Sequence, residues 1–166
     1  KIIEDCAHAH ASQWKGQGVG GIGHLGCFSF APNKILGAYG DGGIITTSDD
    51  TLLEKIHMLR YVGQRVKFIH EVLGFQDRLD EIQAAALSIK LKNLDDWNNR
   101  RRKIAAIYDE MLKDTPLVLP HVADYCHHVY YSYVTITPSE EERKNLLIHL
   151  ANNDIGAFAM YPILVP

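Results

Sequence analysis

Short apolar runs alternate with glycine-rich stretches over the first 47 residues of the chain. Residues 1–5 form an apolar run that ends in Asp5, which is typical of a short buried strand. Residues 26–30 and 44–47 have a similar character and predict two further strands. The intervening residues 12–26 are rich in glycine, so we interpret them as turns and loop.

A helical period follows the predicted strands. Ser48-Asp49-Asp50 offers N-cap residues for a helix that carries Leu52, Ile56 and Leu59 on one face. Apolar residues then recur near helical spacing from Leu79 to about Lys113, which predicts one or two long helices. Strands combined with helices in this order predict an α/β fold.

The last part of the chain has a strand–helix–strand pattern. Residues 130–137 have strand composition, and residues 157–161 predict a final short strand. Between them, Ser139 and Glu142 have the spacing of a capping box that opens a helix. Pro116 and Pro120 interrupt the chain before this pattern, and we place a domain boundary near residues 114–125.

Composition and charge exclude several classes of protein. The 166 residues are 46% apolar and 22% charged, as in an ordinary globular domain. A net charge of −3 gives no general attraction to nucleic acid or to an anionic membrane. Three widely spaced cysteines favour a reducing compartment, and we therefore expect a cytoplasmic protein. Because the chain opens inside a predicted strand, we expect it to be an excerpt of a longer protein.

Two ionisable residues stand close to strand ends, where side chains of open α/β sheets meet ligands. Asp5 ends the first predicted strand, and Lys34 follows the second after Pro32 and before a glycine-rich turn. Either residue alone is a weak signal, since a lysine after a strand is usually a solvated surface residue. Their significance depends on the motifs around them.

Four motifs resemble those of one family. They are Glu4-Asp5-Cys6-Ala7-His8-Ala9-His10, Cys27-Phe28-Ser29-Phe30-Ala31-Pro32-Asn33-Lys34, Leu36-Gly37-Ala38-Tyr39-Gly40-Asp41-Gly42-Gly43 and Gly74-Phe75-Gln76-Asp77-Arg78-Leu79-Asp80-Glu81-Ile82-Gln83-Ala84-Ala85. In this order they are similar to the DegT/DnrJ/EryC1/StrS sugar aminotransferases, which use pyridoxal 5′-phosphate (PLP) and have the fold of type I PLP-dependent transferases. The resemblance covers essentially the whole chain.

The resemblance implies a division of the chain and a function. Residues 1–113 would be the C-terminal portion of the PLP-binding large domain, a mainly parallel sheet with helices, together with long linking helices. Residues 114–166 would be a portion of the smaller α+β C-terminal domain. The implied reaction transfers an amino group from a donor such as glutamate to a keto group of a nucleotide-linked sugar, as in polysaccharide biosynthesis, within a homodimer that shares its active sites.

The resemblance also implies roles for single residues. Lys34 matches the lysine that holds PLP as a Schiff base and moves the proton. Asp5 matches the aspartate that pairs with the pyridinium nitrogen, and Ser29 matches a serine that binds the phosphate. Gln76 stands where the family usually has an asparagine, donated to the phosphate by the other subunit. His8 stands where the family usually has a glutamine near the cofactor ring.

Three positions depart from the family pattern. His8 keeps a hydrogen-bond donor but adds a titratable group. Gln76 keeps the amide and lengthens its reach, and Met160 stands where a histidine often precedes Tyr161-Pro162. These departures leave the cofactor chemistry intact and put the substrate in question.

Other functions remain as alternatives at this point. A non-catalytic regulatory or sensor protein could use the same scaffold, although retention of both Asp5 and Lys34 argues against it. Gly18 to Gly23 fits the glycine pattern of dinucleotide-binding proteins, but no helix is predicted to open from it. His8, His10 and His24 lack the spacing of a metal site, so we expect no metal.

Overall fold

A computed structural model describes residues 1–161 of the chain. The described residues contain eight strands and four helices. In chain order they are β1 (Ile3–Asp5), β2 (Gln13–Trp14), β3 (Gln17–Gly18), β4 (Leu25–Ser29), β5 (Gly43–Thr46), α1 (Asp50–Arg60), β6 (Gln64–Val66), β7 (Ile69–His70), α2 (Glu81–Leu91), α3 (Leu94–Leu112), β8 (Cys126–His127) and α4 (Glu140–Ala151).

The chain divides into two compact units. The first comprises Lys1–Ala105 and Val122–Ser132, and the second comprises Ala106–His121 with the chain from Tyr133 onward. The segment Val122–Ser132 therefore belongs with the first unit, although it follows the prolines at which the sequence changes character.

The main sheet of the first unit has the order β1-β4-β5. β1 and β4 run parallel, with Ile3 opposite Leu25 and Asp5 opposite Cys27, and β5 pairs antiparallel with β4. These are the three strands predicted from the apolar runs, with ends shifted by one or two residues. Because β1 and β4 are parallel, their carboxyl ends lie at the same edge of the sheet.

Glu4 of β1 fastens the glycine-rich loop onto this sheet. Its carboxylate accepts hydrogen bonds from the backbone N–H groups of Gly20, Ile22 and Gly23 at 2.7–2.8 Å. Burial acts to raise the pKa of Glu4, but the three backbone donors prevail and hold it below its ordinary value. The loop comes so close to β4 that a Cβ on Gly26 would lie 2.3 Å from the Cα of Gly20, so glycine is required at that contact.

The prediction of loop throughout residues 12–26 was wrong in part. β2 and β3 form an antiparallel hairpin around Lys15 and Gly16, both of which have positive φ. β8 joins this hairpin, because Cys126 and His127 pair with β2. Two-residue strands are too short to show any alternation of apolar and polar residues, so the sequence pattern could not reveal them.

The helices follow the predicted pattern closely. The Asp49 side chain accepts hydrogen bonds from Thr51 and Leu52 and so caps α1. The long helical stretch is two helices, α2 and α3, which meet near Asn93. A core in the first unit joins residues of these helices to the loop after β4; its buried members are Phe30, Ile35, Leu36, Ala38, Leu87, Leu94 and Val129. None of the helices in residues 1–161 is long and apolar enough to cross a membrane.

In the second unit, α4 begins as predicted. The Ser139 hydroxyl accepts from the N–H of Glu142 and donates to the Glu142 carboxylate. The Tyr133 hydroxyl donates to the Asp109 carboxylate at 2.6 Å.

The two strands predicted for the tail are wrong. Within residues 130–137 the only ladder contact is an isolated bridge between Ile136 and Val118, and residues 157–161 form no strand. β-Branched and aromatic residues favour a strand only where a neighbouring strand pairs with it. Tyr130 and Tyr161, which stand at one end of each segment, also have positive φ, which is not a strand conformation.

Candidate active site

The predicted site residues Asp5, Ser29 and Lys34 lie at the carboxyl edge of the parallel pair β1–β4. Asp5 ends β1 and Ser29 ends β4, two residues beyond the partner of Asp5. Lys34 follows in a turn that is closed by a hydrogen bond from its N–H to the Ala31 carbonyl. The sheet register thus places Asp5 and Ser29 at one edge, and Lys34 lies in the turn that follows Ser29.

Asp5 and Ser29 are tied to the turns that follow them. One Asp5 oxygen accepts from the N–H of Ala7 at 3.1 Å, and the Ser29 hydroxyl accepts from the N–H of Ala31 at 3.3 Å. As an acceptor in that bond, the Ser29 hydroxyl keeps its own hydrogen available to donate.

Cys6, between Asp5 and the next turn, is buried and its N–H donates to the Cys27 carbonyl. Burial, together with the charges of Glu4 and Asp5, raises the pKa of the Cys6 thiol to about 11. Cys6 therefore stays protonated at neutral pH.

His8 lies beside the same edge with its imidazole stacked on Tyr131. The two ring centroids are 3.9 Å apart and the planes differ by 18°. Burial lowers the pKa of His8, the positive charge of Lys34 lowers it further, and the Asp5 carboxylate opposes them. Asp5, His8 and Lys34 thus share one electrostatic environment.

Tyr131 also contacts Lys34 and its neighbour in sequence. The Lys34 ammonium lies 5.1 Å from the centroid of the Tyr131 ring, and the Asn33 amide donates to the Tyr131 hydroxyl at 3.0 Å. Sequence analysis missed this residue. Tyr131 is 98 positions from Asn33 and lies in a segment that we had interpreted as a strand, so no local signal marks it.

The glycine-rich turn after Lys34 is fastened to α2. The Gln83 side chain accepts from the N–H of Tyr39 at 2.8 Å, and the Lys90 ammonium donates to the Gly37 carbonyl at 2.6 Å. Both residues of α2 were missed, because a polar residue that faces a turn looks like any solvated helix residue in the sequence.

Gln76 lies in a different part of the first unit. It forms an isolated bridge with Tyr61, and with its amide oxygen turned toward Arg78 it accepts from that guanidinium at 2.9 Å. The guanidinium in turn lies 5.4 Å from the centroid of the Tyr61 ring. The structure gives Gln76 no hydrogen bond to any of the residues at the β1–β4 edge. Met160 is exposed in the second unit, and Pro162 lies outside the described residues.

His10 belongs to the core rather than to a ligand site. It is 3% exposed, its ring packs against Phe28 and Phe30, and its carbonyl accepts from the Asn98 amide. Burial lowers the pKa of His10, and the backbone of Ser29 opposes this shift. Neither ring nitrogen of His10 has a hydrogen bond of good geometry to a residue of the described chain. Residues 1–161 contain no group of three or more His, Cys, Asp or Glu side chains that could hold a metal ion.

One cavity in the first unit does not have Lys34 in its lining. It measures about 410 Å³ and is lined by polar side chains of the β2–β3 hairpin, α3 and β8, among them Gln13, Asp95, Asn98 and His127. The glycine pattern Gly18 to Gly23 leads into the Glu4-bound loop and then into β4, so no helix begins there as a dinucleotide site requires.

The side chains at the β1–β4 edge fit the requirements of PLP. They offer an amine, a carboxylate, a hydroxyl donor and an imidazole on neighbouring turns. The glycines of the turn after Lys34 have no Cβ, so the backbone there can approach a flat cofactor closely. The fold is the mixed α/β fold of the PLP-dependent aminotransferases.

Comparison with known proteins identifies the family. Residues 1–166 match the DegT/DnrJ/EryC1/StrS aminotransferase family, and the chain belongs to it. The resemblance inferred from the four motifs is therefore confirmed.

Three relatives illustrate the similarity. A dTDP-3-amino-3,6-dideoxy-alpha-D-galactopyranose transaminase from Aneurinibacillus thermoaerophilus is 46% identical over 163 residues, which are 98% of this chain and 44% of that protein. A pleiotropic regulatory protein from Geobacillus stearothermophilus is 41% identical over 98% of this chain and 44% of its own length. The crystal structure of S. venezuelae DesV in complex with a ketimine intermediate superposes with a TM-score of 0.91 at 40% identity, over 98% of this chain and 43% of DesV. The chain thus spans less than half the length of these relatives.

Proposed function

We propose that the full-length protein is a PLP-dependent aminotransferase. It transfers an amino group from a donor, which we propose to be glutamate, to a keto group of a nucleotide-linked sugar. The observation that carries this proposal is the placement of Asp5, Ser29 and Lys34 at one edge of the parallel pair β1–β4. Family membership supports the reaction class. Relatives named as transaminases of dTDP-linked sugars support the substrate class. We also propose a place in polysaccharide biosynthesis, which the family resemblance implies.

Each residue at the edge has a separate task in this proposal. When bound, PLP supplies an electron sink for the pair of electrons left on the substrate carbon. Lys34 would bind the cofactor covalently and would move the proton through its Nζ atom. The Asp5 carboxylate would accept the pyridinium N–H, the Ser29 hydroxyl would donate to the phosphate, and His8 would donate beside the ring.

Gln76 takes part in the proposal as a residue of a second subunit. Its contacts with Tyr61 and Arg78, rather than with Asp5, Ser29 or Lys34, are compatible with a homodimer in which each Gln76 reaches the phosphate of its partner's cofactor. The neighbouring hairpin β6–β7 and the loop after it expose large apolar side chains, including Phe68 at 80% and Leu73 at 97%, which supports an interface there.

We also propose a cellular location and a domain division. The three free cysteines support a reducing, cytoplasmic location. Residues 1–113 would belong to the PLP-binding large domain with its linking helices, and residues 114–166 to the small C-terminal domain, although the segment Val122–Ser132 lies within the first compact unit of the described chain.

Borohydride reduction of the full-length protein with PLP tests the proposal. Reduction should fix the cofactor on the peptide that contains Lys34, and the Lys34→Arg variant should lose the label. Lys90→Arg is the matched control, since Lys90 lies beside the same glycine turn but binds the Gly37 carbonyl, and it should be labelled like the unmodified protein. Labelling elsewhere, or none, would show that the cofactor assignment is wrong.

A non-catalytic regulatory protein is the second candidate. Two relatives, at 41% and 40% identity, are named as a pleiotropic regulatory protein and as a sensory transduction protein. The two candidates differ in one spectroscopic result. A visible cofactor band that bleaches when an amino donor is added favours the enzyme, whereas a band that persists favours the regulator.

A further inference from the structure

Tyr131 contacts three residues of the two predicted cofactor turns. It stacks on His8 of the turn after β1, lies under the Lys34 ammonium, and accepts from Asn33 of the turn after β4. The turns themselves come from strands that are adjacent in the sheet, but Tyr131 comes from a segment far along the chain.

The segment that carries Tyr131 is well anchored in the first unit. β8 pairs with β2 through His127 and Cys126, and Val129 is 1% exposed within the core. Tyr131 itself is half-buried and packs against that core. Its ring is therefore held by contacts that do not depend on His8 or Lys34.

An anchored ring restricts two mobile side chains. A lysine side chain loses considerable rotamer freedom when it is fixed, and a cation over an aromatic face is one of the interactions that can fix it. Stacking at 3.9 Å likewise restricts the plane of the His8 imidazole. The hydrogen bond from the Asn33 amide to the Tyr131 hydroxyl fixes the phenol relative to the turn that carries Lys34.

We propose that Tyr131 is a positioning residue of the cofactor site, whose ring holds the His8 imidazole and the Lys34 side chain in place beside Asp5. The proposal rests on the proposed function, because the two side chains that it orders are those assigned to PLP. Tyr131 acts through its neighbours and need not touch the cofactor.

The pKa of His8 provides a readout that requires no cofactor. The ionisable groups that shift the pKa of His8 are Lys34 and Asp5, and the charge of His8 in turn lowers the pKa of the buried His10. His8 is exposed as a whole residue, but partial burial of its imidazole is the largest cause of the lowered pKa, and the Tyr131 ring covers one face of that imidazole. Removal of the ring should therefore let the pKa of His8 rise toward its ordinary value.

The test compares Tyr131→Ala with Tyr131→Phe in the full-length protein. NMR of ¹³C-labelled histidine gives the pKa of His8 without cofactor, and absorbance titration with PLP gives its dissociation constant. Tyr131→Ala should raise the pKa of His8 and weaken PLP binding on the order of tenfold, because two side chains must then be ordered on binding. Tyr131→Phe keeps the ring and should retain the low pKa and most of the affinity.

Tyr125→Ala is the matched control. Tyr125 also lies under a lysine, with the Lys15 ammonium 5.6 Å from its ring centroid, but it contacts none of the predicted site residues. It should change neither readout. If Tyr131→Ala fails to fold, Tyr131→Leu takes its place, since leucine fills much of the same space without an aromatic face.

Three outcomes would overturn the proposal. One is an unchanged His8 pKa and an unchanged PLP affinity in Tyr131→Ala. Another is an equal loss of affinity in the Phe and Ala variants, and the third is a loss that tracks thermal stability alone, as a purely structural role would give. Failure of borohydride to label Lys34 in the unmodified protein would instead refute the proposed function, and the His8 pKa would still report whether the ring positions the imidazole.

Discussion

The contact between Glu4 and the glycine-rich loop makes a sharp prediction. In Glu4→Gln one carboxylate oxygen becomes an NH₂ group. If the remaining oxygen accepts from Ile22 and Gly23, the new NH₂ faces the N–H of Gly20, which is buried. The variant thus loses charge-assisted hydrogen bonds and leaves a buried donor without an acceptor.

The expected cost follows from those two losses. A hydrogen bond to a charged group contributes about 1.5–3 kcal/mol, and a buried donor left unsatisfied costs about 1–3 kcal/mol. These effects overlap, so we expect Glu4→Gln to lower the free energy of opening of the loop by about 3 kcal/mol. This corresponds to roughly a 100-fold increase in the equilibrium constant for opening. Hydrogen exchange of the amides of residues 20–23, followed by mass spectrometry of the full-length protein, should therefore accelerate about 100-fold.

The same contact should depend on pH in a defined direction. The pKa of Glu4 is lower in the folded loop than its ordinary value of 4.5, so the carboxylate form stabilises the loop. Protection of the amides of residues 20–23 from hydrogen exchange, corrected for the intrinsic exchange rate, should be complete above the ordinary pKa of Glu4. It should be lost as the pH falls through the lower pKa that Glu4 has in the folded loop. Glu54→Gln is the control, because Glu54 is exposed and pairs with Arg65. Unchanged protection of residues 20–23 in Glu4→Gln would refute the reasoning.

Three further predictions concern single contacts. Ser139→Ala should destabilise the first turn of α4 by about 1 kcal/mol, because the cap to Glu142 is lost, and exchange of the first-turn amides should report it; an unchanged rate would contradict the cap. Gly26→Ala should prevent the loop from docking on β4, because the new Cβ would lie 2.3 Å from the Cα of Gly20, and the yield of soluble full-length protein should fall sharply; normal yield and exchange would count against this contact. Gln83→Ala should speed exchange at the N–H of Tyr39 by about fivefold, the effect of losing one hydrogen bond of about 1 kcal/mol, whereas a Gln83→Glu variant keeps an acceptor and should not.

The sequence predicted the structure best where the conformation of a residue depends on its neighbours along the chain. The strand that leads to Ser29 is a continuous run of apolar and small residues, and Asp49 caps α1 through groups only two and three positions away. Asp5 and Lys34 were recognised through motifs that span a few residues each. Their placement at one edge follows from the parallel pairing of β1 and β4, because parallel neighbours have their carboxyl ends on the same side of the sheet.

Prediction failed where the deciding contact is distant. Tyr131 reaches His8 and Asn33 only because β8 returns to β2, and a two-residue strand leaves no periodic trace in the sequence. The opposite error occurred at residues 130–137, where β-favouring composition exists without a neighbouring strand to complete a ladder. Strand propensity measures how well a residue fits a sheet, and it cannot supply the partner strand.

Cys6 gives the site a chemical selectivity that its sequence position does not suggest. Thiols add to aldehydes as amines do, and only the thiolate is strongly nucleophilic. With two carboxylates beside it and a pKa of about 11, Cys6 keeps its proton under all ordinary conditions. An aldehyde held near Asp5 therefore meets no competing sulfur nucleophile from that residue. Burial, reinforced by the charges of Glu4 and Asp5, would thus suppress an adduct at Cys6, in addition to the separate contacts that each carboxylate makes.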